Sequence, residues 1–329
     1  MSRQPVVVVL HDGEMPSESS MAPVVERARE VRYATAAELP EAIVGADVLF
    51  AYDFFSSAIP DAWPAADALE WIHVASTGVD AILSPELRAS DVVLTNSRGV
   101  FDEAIAEYVL GQVLSFAKDL PRSWELQQAR RWVHRESERV AGTSALVIGT
   151  GQIGRAIARL LRAAGIRVSG SGRRARTDDP DFGTVTAQED LHEALAGADW
   201  VVCIAPLTEA TRGMLDGAAF RAMADHARLI NVGRGESVVT DDLVTALREG
   251  AIAGAALDVL DTEPLPDDHP LWDLPDVRIT PHNSGDFVGW RDALVRVFTD
   301  NFARWVDEEP LRDVVDTSLG YVPTDGSTA

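Results

Sequence analysis

Short apolar runs separated by amphipathic stretches recur along this chain from end to end. In the first hundred residues the runs fall at Val6–Leu10, 31–34, 48–52, 71–75 and 92–95, and helix-like patterns lie between them at 22–29, 38–46 and 79–89. Apolar runs too short for helices, alternating with amphipathic segments, predict strands of a parallel sheet with helices on both faces. Residues 101–120 then predict one long helix, with Asp102 and Glu103 in its first turn and Pro121 just past its end. Its apolar positions Ile105, Val109, Val113 and Phe116 make one buried stripe, and such a helix suits a bridge between two domains. A second series follows, with strands at 145–148, 167–169, 200–204, 229–232, 254–258 and 277–280 and helices at 153–164 and Leu191–Leu195. The last helix is expected over 288–306, with Phe298, Phe302 and Trp305 on one face, and the final segment YVPTDGSTA reads as a frayed tail. No solenoid repeat or low-complexity tract interrupts this order.

A chain of 329 residues suits two domains better than one core. Its 29 basic against 52 acidic side chains give a net charge of −23, a field that repels phosphate backbones and anionic lipid surfaces. Nucleic acid and membranes are therefore poor partners, and an anionic substrate needs positive charge concentrated locally, as at Arg173, Arg174, Arg176 and Arg234. The single cysteine, Cys203, sits in an apolar run, reads as buried strand filler and fits a reducing, cytoplasmic location. The N-terminal run flows into His11-Asp12-Gly13 without a small-residue cleavage site and reads as a first strand. No run reaches the roughly 18 to 20 apolar residues of a membrane span.

Gly149-Thr150-Gly151-Gln152-Ile153-Gly154 follows a strand and opens a helix. The first glycine permits a tight turn, the second lets backbone approach a pyrophosphate, and the third allows close helix packing; amides at Gln152 and Ile153 then face the phosphates. Flavin and methyl-donor sites share this pattern, but the strand-loop-helix context favours a dinucleotide. About 20 residues on, where an acid would hold the ribose of NAD, the chain reads RVSGSGRRAR, and Arg173 and Arg174 suit the 2′-phosphate of NADP. NADP is therefore expected over NAD. The alternative is a solvated arginine loop, with Asp178 or Asp179 folding back to the ribose.

Together with this fingerprint, APLTEATRGM (205–214), LINVGRGESV (229–238), GAALDVLDTEPLP (254–266) and ITPHNSG (279–285) resemble the D-isomer-specific 2-hydroxyacid dehydrogenase family, glyoxylate/hydroxypyruvate reductases in particular. HVASTGVD (73–80) and TNSRGVFDEAIAEYVL (95–110) extend the likeness into the first half. The resemblance implies an α/β fold of two doubly wound parallel-sheet domains: a Rossmann nucleotide domain, 100–290, inserted in a flavodoxin-like substrate domain, 1–99 and 291–329, with the active site in the cleft between them. It implies reduction of a small 2-oxo acid to the D-2-hydroxy acid. Arg234 then binds the substrate carboxylate and polarises the 2-oxo group, His282 donates the proton, and Glu263 orients His282. Backbone amides of Ser76, Thr77 and Gly78 match a substrate-binding loop; Thr208, Val232 and Asp258 match positions around the nicotinamide and its ribose, and Gly285 lies in the loop beside it. A homodimer is implied as well, with the aromatic, basic stretch 124–135 as its arm.

Other readings are weighed against the same residues. Formate dehydrogenases of this fold carry glutamine where Glu263 stands, which argues against that variant. A nucleotide-sensing corepressor-like protein of the same fold keeps the catalytic residues and is the alternative function. His134-Arg135-Glu136 lacks the spacing of a metal site, and no G-x-S-x-G elbow is present, so neither a metal nor a serine nucleophile is expected. Phe54, Phe55 and Trp290 are equally readable as a substrate wall and as core aromatics.

Overall fold

The computed structural model describes residues 3–323. The chain divides into two compact units, residues 1–100 with 287–329, and residues 101–286, so that the second is inserted in the first.

The first unit holds five strands, β1 (Val6–Leu10), β2 (Glu30–Ala34), β3 (Val48–Ala51), β4 (Trp71–Val74) and β5 (Val93–Asn96), all parallel in the order β2-β1-β3-β4-β5. Strands β1, β3 and β4 are buried throughout, which is why their sequences are continuous apolar runs with no alternation. The helix Trp290–Val306 closes one face: Phe298 stacks on Phe50 with centroids 4.0 Å apart, and Trp305 stacks on Trp71 at 6.1 Å. Helix limits depart from the sequence expectation where caps decide them. Ser17 caps the helix Glu18–Val25 by accepting from the Ser20 amide, earlier than the expected 22–29. Ser84 likewise starts the helix at Pro85–Arg88, so most of 79–89 is not helical. A short helix at Ala58–Ala62 was not foreseen. Of the expected frayed tail, Tyr321 instead bridges to Asp316, and residues 324–329 lie outside the described residues.

The second unit carries β6 (Ser144–Ile148), β7 (Arg167–Gly172), β8 (Arg176–Asp179), β9 (Gly183–Ala187), β10 (Trp200–Cys203), β11 (Arg228–Asn231), β12 (Gly254–Leu257) and β13 (Val277–Ile279), ordered β13-β12-β11-β10-β6-β7-β9-β8. All pair in parallel except β8, which returns antiparallel on β9. The strand order reverses at β6, the switch point where an open α/β sheet binds its ligand. Cys203 is fully buried on β10, and burial pushes its thiol up to about 11.

The expected single helix 101–120 is two. Asp102–Ala117 carries the foreseen stripe and packs on the helix Gln152–Ala163; after Asp119, at φ +46, a second helix runs Leu120–Gln128. Pro121 therefore stands in a first turn rather than beyond a last one, where its missing N–H costs nothing. Helices at Gly217–Ala222 and Thr240–Glu249 and the strands β8 and β9 were also not foreseen.

Candidate active site

The glycine loop follows β6 as its sequence requires. Gly149 holds φ +110, and a Cβ there would lie 2.7 Å from the backbone of Ile204 and Ala205 on the neighbouring strand's exit. A Cβ on Gly154 would lie 1.9 Å from the Gly149 carbonyl oxygen, so only glycine lets the helix start this close to the loop. A Cβ on Gly151 would meet no protein atom within 4 Å. Its lack of a side chain is thus unused by the protein's own packing and suits the close approach of a pyrophosphate to the Gln152 and Ile153 amides.

Arg173 and Arg174 sit exposed in the turn between β7 and β8. Asp179 is not available to a ribose: its carboxylate takes both Arg155 guanidinium nitrogens at 2.9 Å, Arg176 Nε at 2.8 Å, and the Asp181 and Phe182 amides. Burial raises that carboxyl, but these donors outweigh it and hold it far below the usual carboxylate range. Asp178 is exposed, at φ +57.

Three loops at the ends of β11, β12 and β13 carry the candidate chemistry. Fully buried Asn231 ends β11, donates to the Arg234 carbonyl at 3.0 Å and accepts from the Gly233 amide at 3.2 Å, clamping the loop that presents Arg234. Val232 is buried within it, and Arg234, half-buried, donates to the Gly233 carbonyl at 2.8 Å. Gly235 is the hinge to the next loop: a Cβ there would lie 1.8 Å from the Leu260 carbonyl carbon. That second loop carries Glu263, whose Oε1 accepts from the Leu260 amide at 2.8 Å and whose Oε2 accepts from His282 Nδ1 at 2.9 Å. Burial pushes the Glu263 carboxyl up, yet the His282 ring, the Leu260 amide and the Arg234 charge prevail, and it titrates below the usual range.

His282 itself is held at φ +53, a left-handed conformation that costs an ordinary residue about 1 kcal/mol or more. Asp258 holds it there. Its carbonyl accepts the His282 amide at 2.8 Å, and its carboxylate, 1% exposed, accepts from Thr280 Oγ1 at 2.6 Å and from the Asn283 and Ser284 amides at 3.0 and 2.9 Å. Both Asp258 oxygens thus accept bonds inside the protein, a shaping task beside the nicotinamide contact expected of this residue. Thr280 also bonds Tyr108 at 2.7 Å, and Gly285 leaves room for Phe101, 2.9 Å from where a Cβ would stand. Thr208 is tied to Thr211, whose hydroxyl takes the Thr208 amide at 2.8 Å.

Ser76, Thr77 and Gly78 belong to the first unit. Asn96 Nδ2 donates to the Thr77 carbonyl at 2.6 Å and the Ser97 amide to the Ser76 carbonyl at 2.9 Å. Behind them, Trp71 Nε1 donates to Thr95 Oγ1, Thr95 to His73 Nδ1, His73 Nε2 to Ser97 Oγ, and Ser97 to the Val74 carbonyl. This chain of donors fixes one neutral tautomer, and complete burial lowers His73 to about 3. In the same unit Phe54 packs against the hydrophobic core, on Phe55 and edge-on to Trp290, while Phe55 is 63% exposed. Asn96, Ser97, Asn231 and Gly235 lie inside the quoted motifs but had no role of their own in the sequence reading; for Asn96, Ser97 and Asn231, polar residues at the ends of apolar strands were the available signal. Among the described residues no acidic, histidine or cysteine cluster could hold a metal ion, and no helix is long and apolar enough to cross a membrane.

The family model for the NAD-binding domain of D-isomer-specific 2-hydroxyacid dehydrogenases matches residues 110–284. A glyoxylate/hydroxypyruvate reductase A from Serratia proteamaculans is 31% identical over 77% of this chain and 82% of its own. Among solved structures, a D-isomer-specific 2-hydroxyacid dehydrogenase family protein from Aeromonas salmonicida superposes with TM-score 0.80 at 32% identity, covering 96% of this chain and all of that one. An NADPH-dependent glyoxylate/hydroxypyruvate reductase from Sinorhizobium meliloti, solved with NADP and sulfate, gives TM-score 0.82 at 28% identity over 97% of this chain and all of its own.

Proposed function

The chain belongs to the D-isomer-specific 2-hydroxyacid dehydrogenase family, and from that premise we propose that it reduces a small 2-oxo acid such as glyoxylate, hydroxypyruvate or pyruvate to the D-2-hydroxy acid, with NADPH preferred over NADH. The observation that carries this reading is the 2.9 Å bond from His282 Nδ1 to Glu263, in a loop pair packed through Gly235 beside Arg234. A bound nicotinamide supplies the hydride for C2. The guanidinium of Arg234 pairs with the substrate carboxylate and polarises the 2-oxo group. His282, with Nδ1 committed to Glu263, gives its Nε2 proton to the carbonyl oxygen, and Glu263 stabilises the protonated ring beforehand. The Ser76, Thr77 and Gly78 amides are assigned to the substrate carboxylate by the same reading. Cofactor binding falls to Gly149, Gly151, Gln152, Ile153 and Gly154 for the pyrophosphate, Arg173 and Arg174 for the 2′-phosphate, and Thr208, Val232, Asp258, His282 and Gly285 near the nicotinamide. The NADPH-dependent relative solved with NADP adds support from outside the chain.

Steady-state assays of 2-oxo acids with each reduced cofactor test the reading. Turnover faster with NADPH is expected, and His282→Ala is expected to lower kcat by about 10²- to 10⁴-fold. Full activity in that variant, or tight NADPH binding with no turnover of any 2-oxo acid, defeats it, the second result favouring a nucleotide sensor. We also propose a homodimer built on the segment 124–135, whose Trp124, Trp132 and Val133 are exposed. Light scattering of Trp132→Ser is expected to show monomer where the parent shows dimer.

A further inference from the structure

The β8–β9 hairpin is held by one buried carboxylate. Asp179, with a side chain 3% exposed, ends β8 and receives a two-pronged bond from Arg155, which projects from the first turns of the helix that opens at the glycine loop. The same carboxylate receives Arg176 Nε at 2.8 Å. Arg176 begins β8, immediately after the turn that carries Arg173 and Arg174. Asp181 adds a second acid beneath, bonded to Arg155 at 2.8 Å and 3.5 Å from Arg159, and the Arg155 guanidinium lies over the Phe182 ring. An Nε bond does not engage the end-on pair of terminal N–H groups of Arg176, the fork that suits a phosphate. A carboxylate near a 2′-phosphate would ordinarily repel it. Here three guanidinium groups, Arg155, Arg159 and Arg176, face two carboxylates, Asp179 and Asp181, so the acidic charge is more than compensated.

We propose that Asp179 is a positioning residue for cofactor choice: it locks Arg176, and with it the Arg173–Arg174 turn, at a fixed distance from the glycine-loop helix, so that three arginines meet a 2′-phosphate together. This rests on the NADP reading above. The two are separable because the Asp179 carboxylate bonds Arg155, Arg176 and the Asp181 and Phe182 amides, and no residue of the pyrophosphate loop or of the loops of Arg234, Glu263 and His282.

The test is a fluorescence titration of the full chain with NADPH and NADH, and competition by 2′,5′-ADP and 5′-AMP. For Asp179→Asn the expected result is a roughly tenfold loss of affinity for NADPH and 2′,5′-ADP, the scale of one charge-assisted hydrogen bond, with NADH and 5′-AMP unchanged. Simple charge removal predicts the opposite, tighter NADPH binding, and that outcome overturns the proposal. So does equal weakening of both cofactors, which marks a merely structural role. If the Asn variant does not fold, Arg155→Lys, which keeps charge but loses the fork, decides by the same NADPH/NADH ratio. If the parent chain binds 2′,5′-ADP no better than 5′-AMP, the NADP reading itself falls, and this inference with it.

Discussion

At His282 a left-handed backbone, a carboxylate on Nδ1 and a loop clamped from below converge on one imidazole. Strained conformations persist only where their surroundings over-determine them, and here Asp258 supplies that determination. Glu263 titrates low, so its stabilising share is present above the ordinary glutamate range and fades only as pH falls through that lowered value. The Glu263 carboxylate therefore keeps its charge in mild acid. Glu263→Gln keeps a hydrogen-bond acceptor for Nδ1 but removes the charge that favours the protonated ring. In that variant kcat is expected to drop about 10- to 100-fold, less than the roughly 10²- to 10⁴-fold span of a lost acid–base group because His282 itself remains, and its alkaline decline is expected to begin at lower pH. A pH–rate profile identical to the parent's would contradict the assigned role. At this scale the sequence was informative: Arg234, Glu263 and His282 each close or follow an apolar run, and the order of their motifs singled them out. Asp258 was legible as a site residue, whereas its internal task was not, because hydrogen-bond partners brought from 22 to 26 residues away leave no local pattern.

Among elements, the strands were read closely and the helices less so, for one physical reason. Parallel strands buried on both faces are continuous apolar runs, while a short helix such as Gly217–Ala222 is defined by its cap, Asp216 accepting from the Ala218 and Ala219 amides. Likewise RTDD of β8 is charged because its Asp179 pairs with Arg155 and with Arg176 of the same strand, so it reads as a loop. Gly235 is where element packing reaches the site. A methyl group there cannot be absorbed by a rotamer change, since the atoms in its way belong to the Leu260 and Asp261 backbone. Gly235→Ala is expected to cost about 1 to 3 kcal/mol as overpacking and to part the Arg234 loop from the Glu263 loop. Denaturant unfolding and kcat/KM should both record it; a variant of parental stability and activity would show that the two loops are not mechanically joined.

Across the whole molecule, charge and burial pull stability in opposite directions as pH falls. The net charge of −23 shrinks toward the pI of about 4.6, which relieves self-repulsion and favours the folded state. His73 opposes this. It lies among Phe50, Trp71 and Phe298 with no charged group in contact, and its donor chain has no room for a second ring proton. With a folded value of about 3 against 6.5 for the free side chain, its stabilising share is complete above 6.5 and is lost as pH falls toward 3. The loss runs at about 1.4 kcal/mol per pH unit, so about 2 kcal/mol between pH 7 and pH 5. Surface repulsion is screened within about 8 Å at 0.15 M salt and far less beyond that at low salt, whereas a buried ring is hardly screened at all. Raising the salt therefore removes the charge effect and leaves the histidine. Amide exchange of β1–β5 at 0.5 M salt is expected to show the first unit weakening by that amount from pH 7 to pH 5, and His73→Asn is expected to flatten the slope. An equal slope in the variant would move the acid sensitivity to carboxylates elsewhere, and would leave the ring beneath the Ser76–Gly78 loop without a part in it.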